Sequence, residues 1–106
     1  MILLKDADAD AIGHVIIKSD GVWFVESETM TLEEMQEAVG GPIEAIPGTN
    51  YEFWCNEEGQ RLGLKPNDLV PGIIGNVLMC GAGREDSFPL SAREYRTRLK
   101  LRGMTI

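Results

Sequence analysis

The sequence has few of the residues that build common catalytic and metal sites. It contains one histidine and two cysteines among 106 residues, and Cys55 and Cys80 form neither a CxxC pair nor a Cys/His cluster. Nucleophilic catalysis needs Ser, Cys or Thr beside a base such as histidine, with a third group to orient the base. We therefore expect no catalytic residues, no metal and no other cofactor, and a structural or surface role for His14.

Long hydrophobic runs are also missing. The longest, Val22–Val25 and Val77–Cys80, fall far short of the roughly 20 residues that cross a bilayer. The apolar residues 1–4 lead directly into aspartates and do not form a secretory signal. We expect a cytoplasmic protein without a membrane partner. Both cysteines lie in strand-like apolar runs, which favours buried free thiols. A disulfide between neighbouring strands is the alternative, and a cytosolic location disfavours it.

Basic residues are scarce until the end of the chain. Residues 1–90 carry 16 acidic and 5 basic side chains, whereas residues 91–106 carry 1 acidic and 5 basic ones. An acidic body repels phosphates, so we expect no direct binding of nucleic acid. The basic tail fits either a local contact with an anion or a solvated helix, whose C-terminal dipole favours cations.

The hydrophobic pattern predicts an α+β fold. Strands near 14–18 and 22–26 flank Ser19-Asp20-Gly21, and the Asp-Gly pair is typical of a hairpin with a primed turn, in which glycine takes positive φ. Thr31-Leu32-Glu33-Glu34 is a capping box. The helix that it begins should bury Leu32, Met35, Ala38 and Val39, and should end at Gly40-Gly41.

Further elements follow from residue 43 onward. We predict an edge strand at Ile43–Ile46, a strand at Tyr51–Cys55, a central strand within Ile73–Cys80, a short strand near Phe88–Leu90 and a last helix from Ser91 to Arg102. Together they give a single domain over residues 14–106. It should be a mostly antiparallel sheet of about five strands, with two helices covering one face.

An acidic N-terminal extension, residues 1–13, precedes this domain. The spacing of Asp6, Asp8 and Asp10 resembles the start of a calcium loop. The loop pattern then fails, because Ala11 stands where a tight turn needs Gly and Ile17 stands where a bidentate Glu belongs. The segment therefore favours a solvated acidic turn.

Turn residues at fixed offsets between two apolar strands mark the candidate ligand site. Asn and Asp side chains there can hydrogen-bond a sugar hydroxyl or a base edge, an aromatic ring offers a stacking plane, and glycine allows close approach. The alternative is that the asparagines simply close turns through their own backbone. The candidate ligand-binding residues are Tyr51, Trp54, Asn56, Glu57, Asn67, Asp68 and Gly75.

The same segment carries a resemblance to a known family. The resemblance is carried by a helix, a strand and a set of turn residues: Leu32–Gly41, Ile43–Ile46, Asn56-Glu57-Glu58-Gly59, Gly63-Leu64, Asn67 and Ile74-Gly75. With these segments the chain resembles a phage- and plasmid-associated family of small acidic proteins catalogued as a domain of unknown function. The resemblance covers roughly residues 14–100. It implies an accessory protein made during infection or carried on a mobile element, and assigns no chemistry.

Three classes of function remain open. The leading hypothesis is a non-catalytic accessory protein that sequesters a small nucleotide-like molecule or occupies a host protein. The second is an acidic, DNA-mimicking interaction module that inhibits a host nucleic-acid enzyme. An enzyme is disfavoured, although Glu57-Glu58 is a conceivable carboxylate pair and Gly81-Ala82-Gly83 a weak dinucleotide motif. Bare strand edges can recruit a second copy, so we expect a homodimer.

Overall fold

Seven strands form one antiparallel sheet in the computed structural model, which describes residues 1–84 and 86–106. Along the chain the elements are β1 (Ile2–Leu3), a 3₁₀ turn (Leu4–Asp6), β2 (Ile12–Lys18), β3 (Gly21–Glu26), α1 (Leu32–Val39), β4 (Ile43–Ala45), β5 (Phe53–Asn56), β6 (Val77–Met79), β7 (Gly81–Ala82), β8 (Ser87–Phe88), β9 (Leu90–Ser91) and α2 (Ala92–Leu101). The strand order is β1-β3-β2-β6-β5-β4, and β9 pairs with the start of β2.

The predicted α+β class is confirmed, but the prediction of about five strands was too low. β1 was not predicted, and the single short strand predicted near Phe88–Leu90 is two strands in the structure, β8 and β9, with two residues each. β8 pairs with β7, which was also not predicted, in a separate hairpin. Strands this short contain no full alternation of apolar and polar residues, so hydrophobic periodicity does not define their number or their ends. The predicted edge position of β4 and central position of β6 are both confirmed.

The two helices lie on opposite faces of the sheet, so the prediction that they cover one face was wrong. α2 packs on the face that contains Val15 and Ile17 of β2, whereas α1 packs on the face that contains Ile16. Strand residues alternate between faces, and β6 is buried at all three positions. A central strand that is apolar on both sides requires cover on both sides, which is the physical reason for the three-layer arrangement.

The hairpin between β2 and β3 is confirmed, but its turn differs from the predicted one. Lys18 pairs with Gly21, so Ser19 and Asp20 are the central residues of the turn. Neither they nor Gly21 has positive φ. The turn is held instead by the indole of Trp23, whose Nε1 donates to Asp20 Oδ1 at 2.9 Å.

Both helix starts agree with the sequence pattern. Thr31 and Glu34 form the complete capping box of α1, and Gly40 ends this helix in the left-handed conformation. Ser91 accepts a hydrogen bond from the Glu94 amide at the start of α2. Leu32 was wrongly predicted to be buried. It is the first residue of α1 and 58% exposed, and it lies outside the apolar cluster that contains Met35, Ala38 and Val39.

Residues 1–13 are joined to the sheet and the core. β1 pairs with β3, and Leu4 is completely buried among residues of the α2 side. Arg96 of α2 donates to the carbonyls of Leu4 and Ala7, both at 2.9 Å. Asp8 makes a local contact, since its side chain accepts from the Asp10 amide, whereas the side chain of Asp10 pairs with Arg93 of α2.

Candidate functional site

The seven predicted ligand-binding residues do not form one site. Tyr51 and Trp54 line one cavity, Asp68 lines a second and Gly75 a third. Asn56 and Asn67 are buried, and Glu57 is exposed on the turn after β5. The structure therefore brings together the two aromatic residues and separates them from the polar residues that were expected beside them.

Asn67 uses its whole side chain to hold the loop between β5 and β6. Its Nδ2 donates to the carbonyls of Ile17 and Gly75, both at 2.9 Å. Its Oδ1 accepts from the amides of Leu69 and Val70 at 2.9 and 3.1 Å. An amide has two donor hydrogens and one acceptor oxygen with two lone pairs, so little capacity is left for a ligand.

Asn56 has an equivalent structural role at the end of β5. Its Nδ2 donates to the carbonyl of Val39 at 3.1 Å, which satisfies one of the free carbonyls at the end of α1. Its Oδ1 accepts from the Glu58 amide at 2.8 Å and closes the turn. Gly59, which ends this turn, does not have positive φ. A Cβ there would lie 3.2 Å from the carbonyl oxygen of Ile74, so close backbone approach favours glycine.

Gly75 has a φ of 85°, which favours glycine. A Cβ on it would lie 3.1 Å from the Leu64 side chain, so the group that approaches Gly75 closely is a residue of the protein and not a ligand. Asp68 lies on the largest cavity described, about 500 Å³, which runs between α2 and the loop before β6. In that cavity the Arg102 guanidinium already covers the Phe53 ring at 4.6 Å and lies 3.9 Å from Glu52.

Tyr51 and Trp54 form the candidate site. Their ring centroids are 6.0 Å apart at an interplanar angle of 41°, and Trp54 Nε1 donates to the Tyr51 carbonyl at 2.9 Å. The cavity beside them measures about 260 Å³ and is also lined by Gly83, Arg84, Asp86 and Ser87. It thus combines two aromatic side chains, one of them largely open, with an arginine and an aspartate.

The backbone that presents Tyr51 is strained. Asn50 and Tyr51 have φ of 53° and 62°, and they are the two non-glycine residues with positive φ that the structure describes. Asparagine tolerates this conformation, whereas a bulky residue rarely adopts it. Thr49 holds the turn, since its Oγ1 donates to the Ile46 carbonyl at 2.7 Å and its carbonyl accepts from the Glu52 amide. Tyr51 as a residue is 63% exposed.

Sequence reasoning placed Tyr51 in a strand and missed this turn. Pro47-Gly48-Thr49-Asn50 is a cluster of turn-forming residues, and Asn50 in particular is a signal for the left-handed conformation. Nothing in the sequence signals a second left-handed residue at a tyrosine.

One protein family matches most of the chain. A family profile described as a domain of unknown function, DUF3846, matches residues 13–100. The chain belongs to this family. The DUF3846 region contains the Tyr51–Trp54 cavity, α1 and all of α2 except Leu101, and leaves out β1 and the first residue of β2.

One curated relative is similar over a short stretch. It is a probable acetyl-CoA acetyltransferase from Dictyostelium discoideum, 40% identical over 48 residues, which are 44% of this chain and 12% of that protein. The chain thus spans only about an eighth of the relative's length. No solved structure matches the chain significantly.

The cysteines and the arginines of the basic tail are the other candidate reactive groups of this DUF3846 member. Both cysteines are free thiols, as predicted, but only Cys80 is buried as expected, whereas Cys55 is half-buried. Burial raises the pKa of each, which lowers the thiolate fraction and hence the reactivity. The arginines of the basic tail make intramolecular contacts: Arg93 with Asp10, Arg96 with backbone carbonyls, and Arg98 with Glu52 and Glu94.

Two further observations concern the described residues only. Among residues 1–84 and 86–106, no three His, Cys, Asp or Glu side chains lie together as metal ligands would. In the same part of the chain, neither helix has the length and apolar character to span a membrane.

Proposed function

We propose that this protein is a non-catalytic accessory protein that sequesters a small nucleotide-like ligand at the Tyr51–Trp54 cavity. The observation that carries the proposal is the exposed Tyr51 ring, held beside Trp54 by a backbone conformation that costs free energy. A strained backbone conformation persists where many surrounding contacts hold it in place, and such residues cluster at ligand sites. The phage or plasmid origin implied by the family resemblance, and a location in the host cytoplasm, are part of this proposal.

The chemistry of the cavity suits such a ligand. Base stacking on an aromatic side chain contributes about 1–3 kcal/mol and tolerates any base, because every base has a π-face. Arg84 lies in the lining, where a guanidinium can bind a phosphate through paired N–H donors. At about 260 Å³ the cavity is smaller than the roughly 300–1,000 Å³ typical of drug-sized ligands. It therefore suits a base, with the rest of the ligand in solvent.

The first experiment looks for a bound ligand. The protein is incubated with a bacterial metabolite extract, repurified and heated, and the released molecules are identified by mass spectrometry. We expect a nucleotide-like compound from the wild-type protein. The Trp54→Ala variant serves as the comparison. Its matched control is Trp23→Phe, which changes the other tryptophan, on β3 at the hairpin turn.

The second experiment uses the strain at Tyr51. Tyr51→Gly removes the ring and relieves the unfavourable backbone conformation, so it should raise the melting temperature while weakening nucleotide binding about 5- to 150-fold. Tyr51→Phe retains the ring and should bind as wild type. Binding is followed by Trp54 fluorescence in a Trp23→Phe background, with mononucleotides and cyclic dinucleotides as probes. Equal binding by the Gly and Phe variants, or no quenching by any probe, would contradict the proposal.

A further inference from the structure

His14 is a buried polar residue whose hydrogen bonding is incomplete. It lies on β2 and projects to the α1 side, opposite to Val15 and Ile17. The residue is 5% exposed, and its Nδ1 is fully buried with no hydrogen-bond partner among the described residues. Burial lowers its pKa, although Glu34 and Glu37 oppose this effect. Buried polar groups are nearly always hydrogen-bonded, so each exception needs an explanation.

A groove of about 430 Å³ lies over this histidine. β2 and β3 form its floor with His14, Ile16 and Val25, and α1 forms one wall with Glu34, Glu37 and Ala38. The groove exists because α1 packs on the part of the sheet around β4, β5 and β6. Val25 of β3 therefore stays half-buried. The remaining lining residues are Met1, Lys18, Glu26, Ser27 and Asn76.

The charge of the groove is negative. Its side chains include three carboxylates, Glu26, Glu34 and Glu37, and the ammonium of Lys18. Glu34 is committed to the capping box of α1 and its neighbouring hydroxyls. Glu26 and Glu37 are exposed, and neither has a salt bridge within the described part of the chain. These two carboxylates therefore have their charge available to a ligand.

We propose that this groove is a second site, which binds a small organic ammonium ion with an apolar tail. The ammonium lies between Glu26 and Glu37, and the tail lies on Ile16 and Val25 and against the ring of His14, which lines the groove. Opposite charges at a partly desolvated site attract more strongly than in water, and the apolar floor adds a hydrophobic contribution. The site shares no lining residue with the Tyr51–Trp54 cavity.

NMR spectroscopy can test the site directly, because His14 is the only histidine of the chain and its ring signals are unambiguous. The probe is 2-phenylethylammonium, compared with 2-phenylethanol and 3-phenylpropionate at equal concentration and ionic strength. We expect the ammonium to shift the His14 signals in a saturable manner and to bind at least tenfold more tightly than the alcohol or the carboxylate. Comparable binding of the three compounds, or no shift by the ammonium, would overturn the proposal.

Two variants of α1 provide the matched test. Glu37→Gln removes one groove charge and should weaken ammonium binding about 1.4- to 5-fold, which corresponds to the range measured for exposed ion pairs. Glu33→Gln makes the same change on the same helix outside the groove lining and should leave the affinity unchanged. Equal affinities of these variants would overturn the proposal. If a lysine-rich peptide shifts the NMR signals of the His14 ring but 2-phenylethylammonium does not, the proposal is also overturned, and the groove binds a protein partner instead.

Discussion

At the scale of single residues, Glu34 has the most hydrogen-bonded carboxylate described. It accepts from the hydroxyls of Ser27 and Thr29 at 2.6 and 2.7 Å, and from the amide of Thr31 at 3.0 Å. These bonds favour the charged form and lower the pKa of Glu34 from 4.5 to about 2. The capping box could be read from the sequence, but the two additional hydroxyl donors could not.

This lowered pKa predicts a stability change in acid. Between the unfolded pKa of about 4.5 and the folded pKa of about 2, the unfolded chain binds more protons than the folded one, so stability falls as the pH falls through this window. Glu34→Gln should flatten the dependence there, whereas Glu33→Gln should not. The measurement is urea unfolding at pH 6, 4 and 3. Parallel profiles for wild type and Glu34→Gln would contradict the assigned pKa.

Asn67 illustrates what residue identity alone leaves undetermined. The sequence allowed two interpretations of it, a ligand contact or a turn-closing side chain. Its four hydrogen bonds favour the second, and one of them reaches Ile17, fifty residues away. No local pattern encodes a partner at that distance, so the choice required the tertiary structure. The same holds for Tyr51, whose conformation is imposed by the surrounding turn.

At the scale of elements, local signals predicted the helices well and the short strands poorly. Thr31 and Ser91 mark both helix starts, because capping depends on residues three positions apart. The sides of the sheet on which the helices lie depend on how several strands assemble. The apolar residues on both faces of β6 are the sequence signal for cover on both sides of the sheet.

Tyr95 joins α2 to the sheet, and we expect the removal of its hydroxyl to lower the free energy of unfolding measurably. Its hydroxyl donates to the Gly13 carbonyl of β2 at 2.6 Å and accepts from the Leu90 amide of β9 at 3.1 Å. The residue is fully buried, so Tyr95→Phe leaves two backbone groups without a partner and should cost about 1–3 kcal/mol of unfolding free energy. Tyr51→Phe is the control, since that ring is exposed. Equal unfolding midpoints in urea for both variants would contradict the role of this hydroxyl.

At the scale of the whole molecule, the two ends of the chain are packed together. The amides of Ala92 and Arg93 donate to the carbonyls of Ala11 and Ala9 at 2.9 and 3.0 Å, which satisfies donors at the start of α2. The acidic start and the basic tail thus meet in the folded protein, and the opposite charges of the two segments act within the molecule. The charge asymmetry was evident from the sequence, but the contact between its two ends was not.

A substitution of Leu4 tests how strongly the stability of the fold depends on the N-terminal segment, which the family profile does not include. Its side chain is completely buried in the core on the α2 side, so Leu4→Ala leaves a cavity and should cost about 2–5 kcal/mol. Leu101→Ala is the matched control, because Leu101 is 83% exposed and surface changes usually stay within about 0.5 kcal/mol. Urea unfolding followed by far-UV circular dichroism measures both. A loss below about 1 kcal/mol for Leu4→Ala would contradict the role of this side chain in the core. A larger loss would mean that the folding unit of this protein extends beyond the region matched by its family.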